Sequence, residues 1–194
     1  MIFVTVGAQM PFDRLVEAVD RWAGRQHGTD VFAQTGDGAY RPSHIQHVRH
    51  MAPHAFRAKM VAADLIVAHA GMGSILTALE LGKPILVMPR RGDLMETRND
   101  HQVATARKLS AFGRVTVAMD EHELAERLQQ MGQIKPAEQI GPFASPSLLR
   151  VLRSYIGRGK PRVPFESPAG DLGLTAAEFD LARRVEGETV LAHG

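Results

Sequence analysis

The chain has no cysteine among its 194 residues. That excludes a disulfide scaffold, a thiolate-ligated zinc site and a cysteine nucleophile. It has no surplus of charge either: 23 Lys and Arg stand against 21 Asp and Glu, a net +2. The broad positive field of a general nucleic-acid binder is therefore not expected. No apolar run approaches the roughly 18–20 residues a membrane span needs. The opening Met1-Ile2-Phe3-Val4-Thr5-Val6-Gly7 has no basic n-region, and its apolar run is too short for a signal peptide. The expected compartment is the cytoplasm. Aromatic residues are scarce at 6%, so the lone Trp22 and the scattered methionines are expected in the core. Two patterns are missing as well. Gly7-Ala8-Gln9-Met10-Pro11 lacks the Gly-x-Gly-x-x-Gly of dinucleotide sites, which argues against a Rossmann-like oxidoreductase, and no Asp-x-Asp pair occurs anywhere.

What is present is alternation. Short β-branched runs at Ile2–Val6, Val31–Gln34, His44–Val48, Asp64–Ala68, Ile85–Met88 and Arg114–Ala118 read as strands. Between them lie helical patterns from Pro11 to Trp22, around Ala55–Ala63, over Ser74–Leu81, over Thr97–Leu109 and over Glu121–Met131. Asp120 and Glu123 are spaced as a capping box for the last of these. Near-continuous apolar strands separated by helices predict an α/β fold: a Rossmann-like, doubly wound parallel sheet covered on both faces. Ligands of such sheets bind beyond the carboxyl ends of the strands. The composition shifts after Gly132, where proline becomes frequent, so residues 1–132 are expected as the Rossmann-like domain and 133–194 as a proline-rich extension. In that extension Ser147–Ile156 reads as a helix, 157–173 as a linker or arm, and Thr175 with Glu178 caps a final helix to about Val185.

The most informative segment is His69-Ala70-Gly71-Met72-Gly73-Ser74, where a strand runs through small residues into a helix. Glycines let the backbone approach a ligand, and the first N–H groups of a helix favour an anion. Ser74 adds a hydroxyl and His69 an imidazole N–H. The same string also fits an ordinary strand–helix turn with glycine for tight packing, and geometry alone leaves both readings open.

This string resembles the nucleotide-sugar site of the glycosyltransferase family 28 C-terminal domain. So do Phe3-Val4-Thr5-Val6-Gly7 and Asn99-Asp100-His101-Gln102, in the same order along residues 1–130. The likeness extends to single-domain members, such as the cytosolic subunit of the dolichol-linked UDP-N-acetylglucosamine transferase and bacterial exopolysaccharide subunits. The resemblance implies the donor-binding half of a GT-B enzyme, a hexosyltransferase that uses a UDP-sugar as donor substrate and no cofactor. Gly7, Ala8 and Gln9 would face the diphosphate; His69, Gly71, Met72, Gly73 and Ser74 would grip it. His50 and Met51 would lie near the uracil, and Gln102 with Asn99 or His101 would touch the donor sugar. Relatives often carry a hydroxyl where Ala8 stands, and many carry a ribose-binding Glu where Thr77 stands, with Glu80 one turn further as a substitute. The resemblance implies inverting transfer, and the absence of an Asp-x-Asp pair argues against the metal-dependent type. Glu96, Asp100 and Asp13 are carboxylates near strand ends, each expected to be a solvated loop charge, so the general base stays unidentified.

The resemblance also implies partners. Two-domain relatives use a second domain for the acceptor, so a membrane-associated acceptor-binding subunit and a lipid-linked acceptor are expected here. They would hold the chain at the inner face of the cell membrane, in exopolysaccharide or lipid-linked oligosaccharide synthesis. A homo-oligomer of the isolated chain is left open. The rival is a non-catalytic nucleotide-sugar-binding or scaffold subunit whose site has decayed at Ala8 and Thr77. Leu148, Leu149, Leu152 and Ile156, with Arg150, Arg153, Arg158, Lys160 and Arg162, read as a partner-binding helix, a contact with an anionic membrane, or a helix packed on its own sheet. Arg90, Arg91 and Arg98 read as a lure for a lipid-linked diphosphate or as solvated loop charges, with preference for the latter. His44, His47, His50 and His54 invite a metal reading, but Pro53 breaks a helix there and a strand would point His47 away from its neighbours, so no metal is expected.

Overall fold

A computed structural model of the chain describes residues 1–26, 28–141, 143 and 146–158. The arm expected beyond residue 158 and the last expected helix lie outside the described residues. Met1–Ile140 form one compact unit. Its elements run β1 (Ile2–Thr5), α1 (Asp13–Ala23), β2 (Val31–Gln34), β3 (Gln46–Val48), α2 (Pro53–Ala62), β4 (Leu65–His69), α3 (Met72–Glu80), β5 (Ile85–Met88), α4 (His101–Ala111), β6 (Thr116–Val117) and α5 (Glu121–Gln129). A second unit begins at Gly141 and contains α6 (Pro146–Arg158).

The six strands form one sheet in the order β3-β2-β1-β4-β5-β6, with every pair parallel. Chain direction across the sheet reverses between β1 and β4, so a topological switch point lies there. Alternation along β1 divides the core. Ile2 and Val4 cluster with Leu15, Val19 and Trp22 of α1 and with Leu124 and Leu128 of α5. Phe3 clusters instead with Met60 of α2, Ile75 and Leu79 of α3, and Ala106 of α4. Burying each such side chain contributes roughly 1.5–3 kcal/mol relative to leaving it in water. Trp22, 2% exposed, is core as expected.

Element boundaries differ from the sequence expectation for identifiable reasons. β3 starts at Gln46 rather than His44, because the Ser43 and His44 amides donate to the buried Asp20 carboxylate at 3.1 and 2.8 Å. That carboxylate is held below its usual range: burial acts against the charge, but the two amides and the Tyr40 hydroxyl outweigh it. α4 starts at His101 rather than Thr97, because Asn99 and Asp100 accept the His101 and Gly92 amides at 3.3 and 2.8 Å. Short polar side chains thus compete with the helix for the backbone. α3 starts two residues early, with Gly71 in extended geometry at its N-cap and the Ile75 amide bonded to the Gly71 carbonyl. At α5, Asp120 accepts from the Glu123 amide at 2.8 Å, while Glu123 reaches back to the Met119 amide, a capping box displaced by one residue. The first compact unit extends past Gly132 to Ile140, because Ala137 and Ile140 pack on the second cluster and the Ile140 amide bonds Leu79.

Candidate functional site

The switch point brings together the loop after β1 and the loop after β4. Thr5 pairs with Ala68 across the two strands, so Gly7 and His69 emerge side by side. Gly7 has φ +77°, and a Cβ built on it would lie 2.6 Å from His69 Cε1. A Cβ on Gly71 would fall onto His69 Nε2. The imidazole is therefore clasped between two glycines, one from each loop, and neither position accepts a side chain without moving it. At Gly73 a Cβ would meet nothing within 4 Å. The first turn of α3, carrying the unpaired amides of Met72, Gly73 and Ser74, is therefore open at Gly73.

Charge at this point is set by burial and by one arginine. The His69 pKa is pushed down to about 4, first by burial and then by the nearby Arg90 guanidinium, with the Thr5 backbone opposing. Thr5 does not complete a hydrogen bond of normal geometry, since Nδ1 is buried without a partner. At neutral pH the ring is uncharged and keeps one N–H donor. Arg90 follows β5 and is only 4% exposed. Its Nη2 donates to the carbonyls of Val6, at 2.7 Å, and Met10; Nε donates to Pro11 at 3.3 Å. The guanidinium lies 5.1 Å from the Phe12 ring centroid, and its pKa is lowered to about 10, chiefly by burial. Gln102, from the first turn of α4, accepts the Arg90 amide at 3.2 Å. On the other side of the loop, Gln34 donates to the Gly7 carbonyl at 3.0 Å and accepts from Thr5 Oγ1 at 2.7 Å, and Thr5 Oγ1 accepts the Gly7 amide at 3.1 Å. The loop is thus fixed from both flanks.

The remaining expected residues are distributed around this centre. Ala8 and Gln9 are exposed, and Ser74 is 7% exposed in the first turn of α3. The Thr77 hydroxyl donates back to the Gly73 carbonyl at 2.8 Å. Glu80 is the last residue of α3, about 12 Å along the axis from Met72 at 1.5 Å per residue. Asn99 and His101 are exposed while Gln102 is half-buried. His50 pairs with Asp37 at 2.9 Å, and Met51 packs on the second core cluster.

Two expectations need correction. Arg90 is neither a solvated charge nor a lure; it is a buried tie between β5 and the first loop. Of the three carboxylates, none is merely solvated. Glu96 forms a two-pronged ion pair with Arg14 at 2.6 and 2.7 Å and accepts the Arg91 amide at 2.9 Å. Asp100 holds the Gly92 amide and Asp13 the Ala39 amide. The histidines of the 44–54 stretch are separate too: His44 faces Asp20 and His50 faces Asp37. Among the described residues no group of three or more His, Cys, Asp or Glu is placed to hold a metal.

Sequence reasoning missed the internal role of Arg90, and missed Gln34 and the Thr5 hydroxyl. The available signal was position: a charged or amide side chain at the carboxyl end of a buried strand lies on the edge where this fold binds ligands.

Residues 1–140 match the model of the glycosyltransferase family 28 C-terminal domain, well over half the chain. The chain belongs to that family. Over 78 residues it is 42% identical to the UDP-N-acetylglucosamine transferase subunit ALG13 of Cryptococcus neoformans, a match spanning 39% of this chain and 36% of that protein. Over 98 residues it is 39% identical to ALG13 of Eremothecium gossypii, spanning 45% of this chain and 46% of that one. The matched stretch is thus less than half the length of these relatives. A solution structure of ALG13 superposes with a TM-score of 0.52 at 22% identity, over 78% of this chain and 93% of that one. MurG of Acinetobacter baumannii gives 0.50 at 21% identity, over 68% and 41%. At such identities the likeness is one of fold, a Rossmann-like parallel sheet.

Proposed function

We propose that this member of a glycosyltransferase family is the donor-binding, catalytic half of a UDP-sugar hexosyltransferase. The observation that supports this most is the neutral His69 held between Gly7 and Gly71 beside the open first turn of α3. In the proposed reaction the bond between the anomeric carbon and the β-phosphate oxygen breaks, and UDP departs with the electron pair. The acceptor hydroxyl oxygen bonds the opposite face of that carbon and its proton passes to a base, which gives inversion. Charge that develops on the diphosphate meets amide donors, a helix dipole, the Ser74 hydroxyl and an imidazole N–H already in place. The absence of an Asp-x-Asp pair from the sequence accords with a diphosphate neutralised in this way, with no metal or other cofactor. Around it, Ala8, Gln9 and Met72 would line the diphosphate, and Thr77 or Glu80 the ribose. Asn99, His101 and Gln102 would meet the sugar.

The name "subunit" on the ALG13 relatives supports a partner. We place the acceptor site on a membrane-associated second protein that takes a lipid-linked acceptor. The complex would lie at the cytoplasmic face, in lipid-linked oligosaccharide or exopolysaccharide synthesis. One observation favours a second reading, a non-catalytic binding subunit: the Thr77 hydroxyl is turned into its own helix and Ala8 has none to offer.

Calorimetric titration of the purified chain with UDP, and with UMP, GDP, ADP and NAD as controls, tests the donor site. The expected result is selective UDP binding that weakens about tenfold in His69→Ala and in Ser74→Ala, each removing a contact of roughly 1–1.5 kcal/mol. Preference for NAD would sink the transferase reading. In the assembled complex, transfer lost in Gln102→Ala with UDP affinity retained supports catalysis over scaffolding.

A further inference from the structure

α6 is not accounted for by the donor site. Its sequence, Pro-Ser-Leu-Leu-Arg-Val-Leu-Arg-Ser-Tyr-Ile-Gly-Arg, contains three arginines and no acidic residue. The whole chain carries only +2, so outside this helix the net charge is −1. At 3.6 residues per turn, Leu148, Leu149, Val151, Leu152, Tyr155 and Ile156 fall on one side, and Ser147, Arg150, Arg153 and Ser154 on the other. Among the described residues the apolar side is exposed: Val151 is 40%, Leu152 45%, Tyr155 58% and Ile156 81% exposed. Arg150 and Arg153 are exposed as well.

We infer that α6 is an interfacial helix that lies on an anionic lipid bilayer. A helix in the plane of the interface puts its apolar side among acyl chains and its cations among lipid phosphates. Arginine suits this edge, because its stem lies along the apolar boundary while the guanidinium bonds phosphate oxygens. Tyr155 has the amphipathic ring favoured at that depth. The single sign of the charge selects among surfaces: with no acid on the helix, its electrostatic match is a uniformly negative surface. This contact is independent of the donor site and supplies membrane attachment directly from this chain.

The test is partition of the full chain onto vesicles of phosphatidylcholine alone and of phosphatidylcholine with phosphatidylglycerol. The chain is expected to bind the anionic vesicles, to be released by salt, and to leave neutral vesicles unbound. The Arg150→Gln/Arg153→Gln double variant should bind more weakly by roughly fivefold per arginine. Ile156→Ser should also weaken it, with the melting temperature unchanged in both variants. Equal binding to neutral vesicles, no binding to anionic ones, or an unaffected double variant overturns the proposal. So does stable capture of the helix by an acceptor-binding protein partner in the absence of vesicle binding, which assigns the face to a protein groove. UDP titration of the same preparations separates this outcome from failure of the donor reading.

Discussion

Histidine occurs around this sheet in two settings, one at the end of β4 and one on either side of β3. His69 is held, half-buried, between two glycines, has no hydrogen bond at Nδ1, and its pKa is pushed down to about 4. His50, 57% exposed at its side chain, faces Asp37, and His44, 51% exposed, faces Asp20. Four histidines in eleven residues make the second region the more conspicuous in sequence. It contains an edge strand of three residues and loops tied by local ion pairs. The first region has one histidine and carries the candidate chemistry. Density of a reactive residue type is a poor guide; what matters is whether neighbouring elements exclude water and leave a donor unpaired.

That contrast can be broken at several points. The largest effect is expected at Arg90, which holds the first loop against β5. Arg90→Gln leaves the buried carbonyl of Val6 and the carbonyl of Met10 without their donor and should lower the unfolding free energy by about 3–5 kcal/mol, measured in urea. Arg90→Lys should recover part of it, because one ammonium cannot reproduce the fork. Full stability in Arg90→Gln would contradict the buried tie.

Next comes the pH response of His69. Its folded pKa lies below the unfolded value near 6.5, so the unfolded chain binds more protons between those limits. Stability from this group is constant above pH 6.5 and falls as pH drops towards about 4, by at most roughly 3 kcal/mol. The wild type should lose more stability than His69→Gln between pH 7 and pH 4.5. Parallel curves would show that the ring is not desolvated as described.

A comparable effect is expected at Gly71. Gly71→Val places a side chain on the imidazole and should weaken UDP binding by about a hundredfold, near 2.7 kcal/mol. The smallest effect belongs to the other region. Asp37→Asn removes an exposed pair with His50 and Arg49 and should change neither melting temperature nor UDP affinity measurably.

The fold was readable because apolar periodicity and punctuating glycines are local signals: β2 and β5 match their expected limits, and the alternation predicts the parallel sheet. The starts of β3 and α4 were not readable, since they depend on Asp20 and on Asn99 with Asp100 capturing backbone amides in the folded chain. At the site, the glycines and His69 stand out as a string. Arg90 did not, because an arginine in a polar stretch looks the same whether it is solvated or folded inward; only the approach of residues 6–11 makes it internal. Its partners Val6, Met10 and Pro11 are about 80 residues away in sequence, and they contribute backbone carbonyls, which leave no residue-type signature.

On the proposed function, a nucleoside diphosphate binds at the junction of the loops after β1 and β4. The most direct measurement is an amide chemical-shift map of the isotopically labelled chain titrated with UDP. Saturable shifts centred on Gly7–Gln9 and on His69–Ser74, with the amides of 44–48 unmoved, are the predicted result. Shifts centred on the 44–48 stretch, or none in either glycine loop, would contradict it.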